Sequence, residues 1–109
     1  MKRLSATPQV YSRIPTHIVK WYDDTARGIA HERSWLFRMA VDSFIGYVED
    51  GGIMESLPNM RKEKTMKVSF YPGPKLKEAV HKLADQITFT RWRLWKYILI
   101  WYWNREEVS

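Results

Sequence analysis

The chain has 109 residues, 45% apolar and 15% aromatic, and its 18 Lys and Arg against 12 Asp and Glu give a formal charge of +6. So much apolar material excludes a disordered tail, yet at this length only about two-thirds of the unfolded surface can be buried, so association with another chain is a natural way to add core. The absence of cysteine excludes a disulfide framework and a thiolate zinc site, while the basic balance favours a polyanion such as nucleic acid or an anionic membrane surface.

The first residues, Met1 to Ser5, are basic with no apolar stretch behind them, so no signal peptide is expected. Residues 9–14, ended by Pro15, read as a strand with Val10, Ser12 and Ile14 on one face and Gln9, Tyr11 and Arg13 on the other. Ile18, Tyr22, Ala26 and Ile29 follow at three- and four-residue steps, which predicts a helix with Thr16 as its N-cap. A second helix carries Leu36, Phe37, Ala40, Val41, Phe44 and Val48 on one face. Residues 49–65, with Gly51-Gly52, Pro58-Asn59 and the charged run 61–64, read as turn and linker.

A second strand is expected over 67–71, with Val68 and Phe70 inward, stopped by Pro72-Gly73-Pro74. The third helix follows through Leu76, Val80, Ala84 and Ile87, and the fourth carries Leu94, Trp95, Ile98, Leu99 and Tyr102. From Tyr97 onward this last helix is apolar around its whole circumference. One face suffices for an internal core, so Ile100, Trp101 and Trp103 are expected to form an interface for a homodimer or larger oligomer. Its apolar run, residues 97–103, is far short of the roughly twenty needed to cross a bilayer.

A shift of 58 residues aligns the two halves without a gap: Val10 falls on Val68, Ala26 on Ala84, Ile29 on Ile87, Arg33 on Arg91 and Leu36 on Leu94. Residues 1–48 and 66–109 then form two copies of strand, helix, helix. One strand with two helices leaves its backbone N–H and C=O groups unpaired, so a single copy cannot close a core. The expected fold is mainly α with short β, ordered β-α-α-β-α-α, with an antiparallel two-stranded ribbon over a helical core. The basic excess concentrates in residues 66–109, with eight Lys and Arg against four Asp and Glu.

This layout, with Pro8-Gln9-Val10-Tyr11-Ser12-Arg13-Ile14-Pro15 and Arg33-Ser34-Trp35-Leu36-Phe37-Arg38-Met39-Ala40-Val41, resembles the ribbon-helix-helix DNA-binding family, the Arc- and MetJ-like proteins. The likeness covers about 80 residues in two copies, and the tandem arrangement is similar to that of some archaeal-virus transcription regulators. It implies a sequence-specific regulator of transcription that places its ribbon in the major groove of double-stranded DNA. By that resemblance the base readers are Gln9, Tyr11 and Arg13, with Lys67, Ser69 and Tyr71 in the second copy. The chemistry is sensible independently, since a ribbon fits the major groove, Arg bonds guanine and Gln bonds adenine in bidentate fashion. The resemblance also implies a phosphate grip at the start of each second helix, here His31, Arg33 and Ser34 and then Thr90 and Arg91, where free N–H groups favour an anion. Lys2 and Arg3 could add a flexible arm over the backbone.

Three residues depart from the pattern. Ser12 stands where the inner face calls for an apolar side chain, Trp92 where the phosphate zone calls for Ser, and Pro72-Gly73-Pro74 is unusual before a helix. Alternative readings are a membrane-surface or structural protein using the aromatic, basic last helix, and an antitoxin-like protein-binding module. No enzymatic constellation is found: the three His (His17, His31, His81) are scattered and no phosphate loop or catalytic triad appears, so no cofactor, metal or small-molecule substrate is expected. The expected location is the cytoplasm, that of the host if the source is viral.

Overall fold

In the computed structural model, which describes residues 9–108, the two alternating segments pair with each other. The elements run β1 (Val10–Pro15), α1 (Thr16–Gly28), α2 (Arg33–Glu49), β2 (Thr65–Phe70), α3 (Pro74–Gln86) and α4 (Arg91–Val108). The protein is thus mainly helical, with one two-stranded antiparallel sheet made within the chain. Register runs from Val10 opposite Phe70, through Tyr11–Ser69, Ser12–Val68 and Arg13–Lys67, to Pro15 opposite Thr65.

Pairing reaches further toward the Pro15 end than the sequence suggests. Pro15 lacks an N–H, but both strands are edges, so that missing donor interrupts no ladder beyond the pair. The next residue, Thr16, continues the pairing, its N–H donating to the Lys64 carbonyl at 2.9 Å and its hydroxyl at 3.2 Å. That hydroxyl is therefore not a helix cap, and α1 starts from Pro15 without a side-chain cap.

The inward faces of the strands bury Val10, Ile14, Val68 and Phe70 against the helices. The packing is crosswise: α4 lies on β1 and α2 on β2, each second helix covering the other half's strand. Neither half owns a closed core, and buried residues from both form one cluster. Each fully buried aliphatic or aromatic side chain there contributes about 1.5–3 kcal/mol.

Helix α4 is the centre of the molecule, packed against α1, α2, α3 and β1. This corrects the expectation that one face would serve the core. Ile100 and Trp101 are only 7% and 2% exposed, and Trp103 is half-buried with its ring edge-on to His17 at 5.6 Å. Four neighbours surround α4, so its all-round apolar character is consumed internally, and no free aromatic face remains at Ile100 and Trp101 for self-association. Tyr22, fully buried, donates its hydroxyl to the Leu99 carbonyl at 2.7 Å, and burial pushes its pKa well above the ordinary tyrosine value.

The turns between paired helices repeat at the same spacing as the sequence. After α1 the His31 N–H donates to the Ala26 carbonyl at 2.8 Å and Ala30 to Arg27 at 3.0 Å; after α3 the Phe89 N–H donates to Ala84 at 2.8 Å and Thr88 to Asp85 at 3.3 Å. Both are Schellman caps, with Ala30 at φ 62° and Thr88 at φ 56° in the left-handed position. Ile29 and Ile87 become the C-cap residues and stand exposed, not on the core face as their spacing suggested. Helix α2 closes the same way, with Gly51 at φ 94°. At the start of α3, Gly73 takes φ 91° as N-cap and Pro74 occupies the first turn, which accounts for the Pro-Gly-Pro run.

The linker is docked on the body. Met54, Leu57 and Met60 pack on the core, the Tyr47 hydroxyl donates to the Ile53 carbonyl at 2.8 Å, and the Tyr97 hydroxyl both receives the Glu55 N–H at 2.7 Å and donates to its carbonyl at 2.8 Å.

Candidate nucleic-acid interface

The outward face of the ribbon gathers the side chains that alternation placed there. Tyr11, Arg13, Lys67 and Ser69 are exposed on the strands, and Gln9 and Tyr71, also exposed, lie one residue beyond the Val10–Phe70 pair. Tyr11, Arg13, Lys67 and Ser69 therefore share the outward face, Gln9 joins it through Tyr11, and Tyr71 follows directly after the strand. Lys67 reaches across to place its Nζ 4.5 Å from the centre of the Tyr11 ring, a cation–π contact that orients both groups. The Tyr11 hydroxyl donates to Gln9 Oε1 at 3.5 Å, while Arg13 makes long bonds from Nε to Thr65 Oγ1 and from Nη2 to the Thr65 carbonyl, both 3.4 Å. These are weak contacts that a stronger acceptor displaces.

The α4 start lies beside this face, with Trp92 and Lys96 next to Tyr11, Arg13 and Lys67, and the α2 start is its counterpart in the other half. Neither α2 nor α4 carries an acidic residue in its first turn, and α2 begins at Glu32 without a side-chain cap. The first N–H groups of a helix lack intrahelical acceptors and can receive an anion, although at the α2 start the Trp35 N–H already donates to the Glu32 carbonyl at 3.0 Å. Ser34 is half-buried at the α2 start, His31 is exposed and stacked flat on Trp35 with ring centres 3.8 Å apart, and Thr90 is exposed at the α4 start, where its carbonyl accepts the Leu94 N–H at 3.0 Å.

The two arginines of these zones are held by carboxylates. Arg33 Nη1 lies 3.4 Å from Asp23 Oδ2, and Arg91 grips Asp85 with two bonds of 3.3 and 2.8 Å. The Arg91 hydrogen bond holds the Asp85 carboxyl below its ordinary pKa, and Asp85 in turn raises Arg91. Both pairs are exposed enough for a phosphate to compete for the guanidinium. Lys2 and Arg3 lie outside the described residues.

Sequence reasoning missed one part of this surface. A cleft of about 500 Å³ opens at the Arg13–Lys67 end of the ribbon, lined by Tyr11, Ser12, Arg13, Lys67, Trp92 and Lys96 among others. It forms beside the small Ser12 side chain, whose counterpart in the other half is the bulky, buried Phe70. Trp92 is 63% exposed, and Lys96 lies one helical turn beyond it on the same face of α4. That four-residue spacing was the available signal for Lys96.

Comparison with known proteins finds no family model, no curated protein and no solved structure that matches this chain. Among the described residues no helix is long and apolar enough to cross a membrane.

Proposed function

We propose that this chain is a sequence-specific double-stranded DNA-binding regulator of transcription, built as two fused ribbon-helix-helix units that complete each other. One observation carries the reading: a two-stranded ribbon with its polar residues outward and its apolar residues inward, in a chain whose α2 and α4 carry no acidic residue in their first turns. A ribbon of this width enters the major groove, where Arg, Lys and Gln distinguish base edges, while the helix starts and Arg33 and Arg91 hold phosphates and set the register. The net charge of +6 supports association with a polyanion.

The membrane-surface and antitoxin-like readings both relied on a free aromatic face on the last helix. Burial of Ile100 and Trp101 removes that part of the face on which they drew, leaving Trp92 as the exposed tryptophan of the helix.

Titration of a fluorescent duplex at increasing salt tests the proposal. Affinity should fall linearly on a log–log plot with a slope of roughly −0.9 for each phosphate contact. A chain indifferent to duplex DNA at low salt would overturn it.

A further inference from the structure

We propose that the ribbon reads a non-palindromic DNA site, with guanine beneath the Arg13–Lys67 end and an A·T pair beneath the Gln9–Tyr71 end. The inference rests on the DNA-binding reading above and names its substrate more closely.

The register supplies the argument. Tyr11 and Ser69 are directly opposed and are also related by the 58-residue shift, so the local twofold axis of the ribbon passes between them. The same shift pairs Gln9 with Lys67 and Arg13 with Tyr71. In a ribbon of two identical strands the two ends would be chemically equal. Here they are not: one end opposes Arg13 to Lys67, two cations, and the other carries Gln9 and Tyr71, both neutral.

The two ends are four residues apart along the strand, or about 13 Å, which spans roughly four base-pair steps. Arg and Lys both donate to the O6 and N7 acceptors of guanine, whereas Gln matches the N6 and N7 edge of adenine. Tyr71 can contact a thymine methyl through its ring. The cation–π contact of Lys67 with Tyr11 keeps the ammonium over the ribbon face.

The flanks share this polarity in part. Lys96 and its repeat counterpart Arg38 are both cations, but Trp92 on one side corresponds to Ser34 on the other. The Trp92 cleft, next to Arg13 and Lys67, adds an aromatic wall at the cationic end, where the other half has the small Ser34 at the matching position. A protein with one cationic and one neutral reading end binds DNA in a single orientation.

Selection of bound duplexes from a random pool with the full chain tests this. The expected core differs from its own reverse complement, with guanine at one end and A·T at the other. Arg13→Ala should flatten the guanine preference at one end and leave the other unchanged. The triple variant Lys67→Gln, Ser69→Tyr, Tyr71→Arg makes the two strands equivalent on the outward face and should select a palindrome; its fold is checked by thermal melting, and the wild-type selection decides alone if it does not fold. A palindromic core from the wild-type chain, or loss of preference at both ends in Arg13→Ala, overturns the proposal while leaving DNA binding intact. Absence of any enrichment overturns the DNA-binding reading itself, and this inference with it.

Discussion

Tyr11 and Ser69 face each other across the ribbon, and each occupies the other's place in the repeat. A cross-strand pair that is also a repeat pair requires a twofold axis at that point. The spacing of two segments along the sequence and the pairing of two strands in space thus agree on one centre. The helix caps at Ala30 and Thr88 repeat at the same 58-residue spacing.

Arg13 is exposed and held only by two long bonds to Thr65, so it is free to bond a base edge. Arg13→Ala should cost about 1–3 kcal/mol at the preferred duplex and little on random DNA. Arg33→Ala, at a proposed phosphate contact, should weaken both duplexes alike. Anisotropy titrations with the two duplexes measure both; equal losses for Arg13→Ala would demote it to a phosphate contact.

Asp85 holds the Arg91 guanidinium, so under the proposed function it would compete with a DNA phosphate for it. Asp85→Asn removes that competitor and one negative charge, so affinity for random duplex should rise and its salt dependence steepen. A fall in affinity would show that the pair positions Arg91 productively rather than occupying it.

Ser12 Oγ is buried without a hydrogen-bond partner, opposite Val68 and beside an open cleft. An unsatisfied buried polar group is destabilising by about 1–3 kcal/mol. Ser12→Val should therefore raise stability by about 1 kcal/mol in urea unfolding, and a lower midpoint would contradict this account of the inner face.

Ala30 and Thr88 adopt left-handed backbone at positions where α2 uses Gly51. A non-glycine residue there is strained by about 1–2 kcal/mol, offset in part by the entropy glycine adds to the unfolded chain. Ala30→Gly and Thr88→Gly should each raise the melting temperature. Equal or lower values would mean that the strain is absorbed elsewhere.

His81 Nε2 accepts the Trp95 indole N–H at 3.2 Å, which requires the neutral ring. Partial burial, then Arg91 and Lys77, lower its pKa from 6.5 against a smaller opposing effect of Asp85. The unfolded chain then binds more protons than the folded one between the two values, so this contribution is complete above pH 6.5 and is lost as pH falls through the folded value. His81→Gln, which keeps an acceptor, should remove that slope from a series of unfolding curves; an unchanged slope would assign it to another group.

The strands, the four helices and the polar face were legible because alternation and the three-to-four step are local properties of the chain. The role of α4 was not. Its apolar circumference is compatible with either a central helix or an exposed interface, and only the crosswise packing onto β1 distinguishes them. The same nonlocality hid the Trp92 and Lys96 cleft, which exists because α4 meets β1 beside Ser12. With Ile100 and Trp101 inside, the DNA-free chain should show the mass of one copy, 13.1 kDa, by light scattering; a dimer mass would require another surface.

Competition binding of the wild-type chain and of Gln9→Ala/Arg13→Ala/Lys67→Ala, with the selected duplex against random DNA, tests the central claim most directly. The wild-type preference should be at least about a thousandfold, and the folded variant should retain nonspecific binding while losing nearly all of that preference. A variant that discriminates as well as the wild-type chain would contradict the claim that the ribbon face reads DNA.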